Sequence, residues 1–376
     1  MAPNIVINAT NLHSGGGVQV AASFIYELYT HYINYPELPY HIYVSDTVNE
    51  NLSHSINRNK FKSFSVFNTY GLKKPANYNY YFTKKIDVLF TIFGPVYFKT
   101  NAKVNIVGFA QSWIAYPKNI AYKKISIFSA IKNKIKFKLQ ELYFKRADIL
   151  IVEQEHVKNA LVRIGFNKNN ILTVYNCYSE VFNNPSVWGP IQINKSKKFT
   201  LGYLGRGYPH KNLKILTCVN DILKKKYNLE TLFLFTLSKK EMSDHMFDNI
   251  ENFESIGEIN INQCPNFYRN IDALIFPSLL ESFSATPVEA MKMKVPVIAS
   301  DLPFVRSICK DSAFYFNPLD PYSIAESIFY AYSNKELCQQ KISAADKIVS
   351  QLPTAKDRAN DYIKIINATL NKYQEK

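Results

Sequence analysis

The segment DALIFPSLLESFSATPVEAMKMKVPVIASD, residues 272–301, reads as strand, loop, helix and strand in direct succession. DALIF is a short unbroken apolar run, the pattern of a strand covered on both faces. VPVIASD repeats that pattern after a helical stretch expected to start near Pro287. Two buried strands joined through a helix run parallel, so this is a βαβ unit, and its sheet needs helices on both sides. Two glutamates stand eight positions apart, Glu281 in the loop and Glu289 in what reads as the first helical turn. A carboxylate there suits the helix dipole. Ser282, Phe283 and Ser284 lie just before the helix, where backbone N–H groups have no partner within it.

The same alternation extends in both directions. In the second half, FTLGYLG (199–205), ETLFLFTL (230–237), NFESIGE (252–258) and AFYFNP (313–318) read as strands, with a helix over 211–227. In the first half, NIVINA (4–9), YHIYVS (40–45), IDVLFTIF (86–93), KVNIVGFA (103–110), ADILIVE (147–153) and NILTVYN (170–176) do so, with a helix over 18–29. Strands spaced by helices specify an α/β protein with parallel sheets. NNPSVWGPIQINKSKK (183–198) breaks the rhythm and reads as a linker. The expected organisation is therefore a first domain over 1–180, a linker over 181–198 and a second domain over 199–352. The amphipathic tail, a helix over 354–374, is expected to pack back on the first domain.

Composition narrows the function classes. At roughly 100–200 residues per domain, 376 residues suit two domains. The net charge of +15 is uneven, +11 over residues 1–180 and +4 over 181–376. Phosphates, anionic membrane or nucleic acid are the partners such a field attracts. Five cysteines stand singly, without zinc spacing, as expected of reduced thiols in a cytoplasm. The start lacks the basic region of a signal peptide, and no apolar run reaches the ~18 residues of a membrane span.

Two further loops follow predicted strands. HSGGGVQ (13–19) puts Gly15, Gly16 and Gly17 between a strand and a helix, where backbone N–H groups can approach an anion. LGRGYPHKN (204–212) carries Arg206 and Lys211 at a helix entrance. Cations there oppose the helix dipole and do little for stability, but they suit a diphosphate.

With the E-x7-E pair, the FPS before it and the PVIASD after it, these loops resemble the retaining glycosyltransferases of family 4. The resemblance is strongest over 199–305. It implies the GT-B fold: two Rossmann-like doubly wound domains facing an interdomain cleft. It also implies a nucleotide-diphosphate sugar, UDP- or GDP-linked, as co-substrate and no other cofactor. Arg206 and Lys211 would hold the diphosphate and its growing charge. Glu289 would accept from the ribose hydroxyls, and Glu281 would meet the donor sugar with the amides of Ser282, Phe283 and Ser284. Gly15–Gly17 would close over the phosphates. No D-x-D occurs in the chain, so fixed cations are expected to replace a metal.

Three departures from the family pattern stand out. Ser284 and Lys294 occupy positions where relatives often have glycine, and Gln111 replaces a histidine after a central strand. His13 and Gln111 are the candidates on the acceptor side. Residues 118–146 hold nine Lys or Arg and one acid, interleaved with Ile, Phe, Leu and Tyr. That is the pattern of a basic amphipathic helix, or a pair, lying on an anionic bilayer. The expectation is a cytoplasmic enzyme, peripheral at the inner face of the plasma membrane. It would act on a polyprenyl-diphosphate-linked glycan in O-antigen or capsule assembly, without nucleic acid. A non-hydrolysing sugar-nucleotide epimerase and a non-catalytic basic binding protein are the alternatives.

Overall fold

The computed structural model describes residues 3–194 and 196–374. The chain divides into two compact units. The first comprises Met1–Pro117, Ile131–Cys177 and Pro353–Lys376, and the second Lys118–Ala130 with Tyr178–Leu352.

The first unit is built on seven strands: β1 (Ile5–Ala9), β2 (Leu38–Val44), β3 (Phe61–Val66), β4 (Ile86–Thr91), β5 (Ala102–Phe109), β6 (Ile149–Val152) and β7 (Ile171–Thr173). All pair in parallel, in the order β3-β2-β1-β4-β5-β6-β7. The central strands β1 and β4 are mostly apolar and almost wholly buried, as a sheet covered on both faces requires. β3 was not expected. Its sequence FKSFSV is mostly polar or half-exposed because it is the edge strand, so it carries no continuous apolar run. The C-terminal helix Ala355–Gln374 lays Tyr362, Ile363, Ile366 and Leu370 into the core that holds β1, β2 and β4.

The second unit has six strands: β8 (Phe199–Tyr203), β9 (Thr231–Phe235), β10 (Phe253–Ser255), β11 (Ala273–Phe276), β12 (Val297–Ser300) and β13 (Ala313–Phe316). They are again all parallel, in the order β10-β9-β8-β11-β12-β13. Both sheets thus reverse direction once, between β1 and β4 in the first and between β8 and β11 in the second. Loops at the carboxyl ends of strands on either side of such a reversal diverge and leave a crevice, the usual ligand position of a doubly wound sheet.

Two sequence readings need correction. The stretch read as a linker is docked: Phe182 is buried, and Gly189 N–H donates to the Asn262 carbonyl at 2.8 Å. The helix expected from Lys211 begins at Ile215, because a 3-10 turn over Pro209–Lys211 ends in left-handed Asn212 (φ 58°).

Candidate donor and acceptor sites

In the second unit, the loop after β8 carries Arg206 and Lys211, and the loop after β11 carries Glu281. Because β8 and β11 are neighbours at the reversal, these loops meet. Leu279 N–H donates to the His210 carbonyl at 2.8 Å, and Lys211 Nζ reaches Glu281 Oε1 at 2.6 Å. Both side chains are largely buried, 15% and 12% exposed, so this pair is screened far less than a surface pair. Lys211 also lies 5.7 Å from the Phe276 ring centroid. His210 beside it is pushed down to about 4: burial favours the neutral ring and Lys211 adds to that, against the pull of Glu281. It is therefore neutral at pH 7.

Arg206 goes elsewhere. Its Nε donates to Glu241 Oε1 at 2.9 Å, and Nη1 pairs with Glu258. Among the described residues, no hydrogen bond or ion pair joins it to Lys211 or Glu281. Glu241 organises this loop. It accepts from the Gly207 N–H at 2.9 Å and from the Ser238 N–H and hydroxyl at 3.0 Å, closing a capping box on the helix Lys239–Asp244. Burial raises its carboxyl, but those donors together with Arg206 prevail and hold it down at about 2.

The helix after Glu281 starts at Ala285, two residues before the expected position. Glu289 therefore lies beyond the first turn, and the dipole argument does not apply to it. Instead it is buried, 6% exposed, and accepts from Tyr268 Oη at 3.0 Å. Burial raises it to about 7, against the Tyr268 hydrogen bond that favours the anion. Ser282 and Ser284 are buried and Phe283 is partly buried. Among the described residues, the N–H groups of all three donate no hydrogen bond. The Ser278 hydroxyl, also buried, has no partner among the described residues. Lys294 adopts a left-handed conformation (φ 59°) just past the helix, which explains why glycine suits this position.

In the first unit, a cavity of about 400 Å³ opens at the β1/β4 reversal. Asn11, Leu12 and His13 after β1, Phe93, Gly94 and Pro95 after β4, and Gln111 after β5 line it. The structure thus brings together the two residues expected on the acceptor side. His13 Nε2 lies 2.9 Å from the Thr69 carbonyl, and its ring stacks on Tyr70 at 4.4 Å. Gly94 has φ 90°, and a Cβ there would stand 2.7 Å from Asn11 Nδ2. Asn11 donates to the Phe93 carbonyl and Gln140 to Tyr97 Oη, but the amide oxygens of both are buried without a donor. Gly15 (φ 74°) caps the helix Gly16–His31, and a Cβ at Gly15 or Gly16 would meet nothing within 4 Å. That glycine turn is exposed at the carboxyl end of β1.

Sequence reasoning missed Glu241, Tyr268, Asn11 and Gln140. Only Glu241 left a signal, the S-x-x-E of Ser238–Glu241.

Two all-parallel doubly wound units define the GT-B class of glycosyltransferase folds, and solved structures match at full length. A glycosyltransferase from Rickettsia africae ESF-5 aligns with 98% of this chain and 99% of its own, at TM-score 0.64 and 14% identity. Anabaena HepE, solved with UDP and glucose, aligns over 96% and 98% at TM-score 0.62 and 11% identity. Residues 190–348 match the family Glycosyl transferases group 1, so the second unit carries a domain of that family. Among curated relatives, the O-antigen chain mannosyltransferase RfbU of Salmonella typhimurium is 26% identical over 234 residues. That alignment spans 60% of each chain.

Proposed function

We propose that this protein is a retaining, metal-independent glycosyltransferase. It would move a sugar from a UDP- or GDP-linked donor to a lipid-linked glycan in bacterial surface-polysaccharide assembly. The carrying observation is the Lys211–Glu281 pair at the β8/β11 reversal, followed by three N–H groups without acceptors. A nucleoside diphosphate needs a fixed cation for charge that grows as the sugar leaves, and Lys211 is placed to supply it. Arg206, oriented by Glu241, adds a second cation to the same loop. Glu281 remains as an acceptor for sugar hydroxyls, and the Ser282–Ser284 amides as donors to anionic or hydroxyl oxygens. Glu289 would take the ribose hydroxyls.

Acceptor binding falls to the cavity in the first unit. Its polar lining, which includes His13, Thr69 and Gln111, suits the hydroxyl groups a glycan offers. Gln111 has no basicity at neutral pH, so in this reading the departing phosphate oxygen takes the acceptor's proton. The family match and the full-length fold likeness support the reading, and so do relatives whose names place them in O-antigen and capsule synthesis. The cytoplasmic, membrane-peripheral placement belongs to the same proposal. The test is donor turnover across a panel of nucleotide sugars, with NMR of the anomeric proton in the product. Retained configuration for one donor is expected. An inverted product would remove the retaining mechanism, and absence of turnover with every donor and acceptor would remove the activity.

A further inference from the structure

The helix Ile127–Phe144 has two apolar faces, and the protein uses only one. Phe137 and Phe144 are buried on the inner face, with Phe137 stacked on Trp113 at 5.7 Å. Ile127, Phe128, Ile131, Ile135, Leu139 and Leu142 are exposed, by 43% to 86%. At about 100° per residue these six fall within an arc of about 120°, opposite the buried face. They form one continuous strip along an 18-residue helix, about 27 Å long. Lone exposed apolar residues are common, but a strip of six is not.

Charge identifies the occupant. Lys132 and Lys136 lie beyond the strip on one side and Lys134 on the other, Lys138 falls just inside that second edge, and Lys123 and Lys124 stand exposed in the preceding turn. Glu141 is the sole acid between 118 and 146. It is buried, and Lys138 and Lys145 pair with it at 2.9 and 2.7 Å. The outer face therefore presents no carboxylate. A second copy docked on this strip would press lysine rows against lysine rows. Five of the six side chains are aliphatic, so the strip offers nucleic-acid bases only one ring to stack on. An anionic lipid surface satisfies both features, taking the apolar strip among its acyl chains and the lysines among its headgroups.

We infer that the outer face of the helix Ile127–Phe144 inserts into anionic bilayers and lies in the membrane plane along its whole length. This deepens the membrane-peripheral placement proposed above, assigning it to one helix face, and does not depend on transferase activity. Vesicle sedimentation tests it, with phosphatidylcholine alone and with about 30% phosphatidylglycerol. The wild-type protein is compared with Phe128→Ser/Ile131→Ser/Ile135→Ser and with Lys132→Glu/Lys136→Glu. The wild type should bind the anionic vesicles, and more weakly at high salt. The serine variant should lose at least about tenfold in binding with an unchanged unfolding temperature and unchanged nucleotide binding. The charge variant should lose binding mainly at low salt. Equal wild-type binding to both vesicles, no binding, or full binding by the serine variant would overturn the inference. So would a wild-type dimer, blind to vesicles, that the serine variant dissociates.

Discussion

Replacing Glu289 by Gln should stabilise the protein at pH 8 while impairing it. Glu289 is buried, and its nearest titratable neighbours are Tyr268 and Cys264, both raised by burial and so neutral in the working range. Among the described residues no cation offsets its charge: burial is the chief influence on it, and the Tyr268 hydrogen bond opposes it only partly. The folded carboxyl titrates at about 7, against an ordinary value of 4.5. Below pH 4.5 both states are protonated and the group contributes no pH dependence. Between pH 4.5 and 7 the unfolded chain has released its proton and the folded one has not, so stability falls as pH rises. The full gap corresponds to about 3 kcal/mol, reached near pH 8. Gln keeps an oxygen for the Tyr268 hydroxyl and carries no charge. Denaturant unfolding of wild type and Glu289→Gln should therefore differ by less than about 1 kcal/mol at pH 5, and the variant should be more stable at pH 8 by up to about 3 kcal/mol. Nucleotide affinity should fall in the same variant, since a neutral amide is a weaker acceptor for ribose hydroxyls. A stability difference equal at pH 5 and pH 8 would refute the reasoning.

Other outcomes follow from the same geometry. Glu241→Ala removes the side-chain half of the capping box on the helix Lys239–Asp244 and the anchor of Arg206; it should cost about 1 kcal/mol in thermal unfolding and raise the KM for the donor more than it lowers kcat. Because Glu241 is held down at about 2, its contribution should persist above pH 4.5 and disappear as pH falls towards 2. Lys294→Gly relieves a left-handed non-glycine residue and should stabilise by about 0.5–1 kcal/mol in the same melts, with activity unchanged. EDTA should leave turnover unaffected; turnover abolished by EDTA and restored by Mg²⁺ or Mn²⁺ would show that the fixed cations are insufficient.

Much of the fold was legible because strands buried on both faces must be apolar runs, and twelve of the thirteen overlap stretches read from the sequence. β3 escaped because an edge strand can be half polar. The start of the helix at Ile215 was misread because Lys211 continues an apparently helical pattern, whereas Pro209 and Asn212 impose a turn and a left-handed residue before it. In the site, the loops were legible and their partners were not. Lys211 and Glu281 are 70 positions apart and meet because β11 pairs with β8, a matter of strand order. Arg206 read as a companion of Lys211 because both sit in one loop, but the direction of its side chain depends on Glu241, 35 positions on. Glu289 read as a helix-start acid. Its burial depends on Tyr268 from another helix, which no local pattern encodes.

The central claim is that the crevice between β8 and β11 binds a nucleoside diphosphate through Lys211. Isothermal titration of UDP and of GDP into the wild-type protein and into Lys211→Ala tests it most directly. The account predicts saturable one-to-one binding of one nucleotide to the wild type and a loss of at least about tenfold in the variant, or roughly 1.4 kcal/mol. Equal affinity in the two proteins, or no binding of either nucleotide to the wild type, would contradict it.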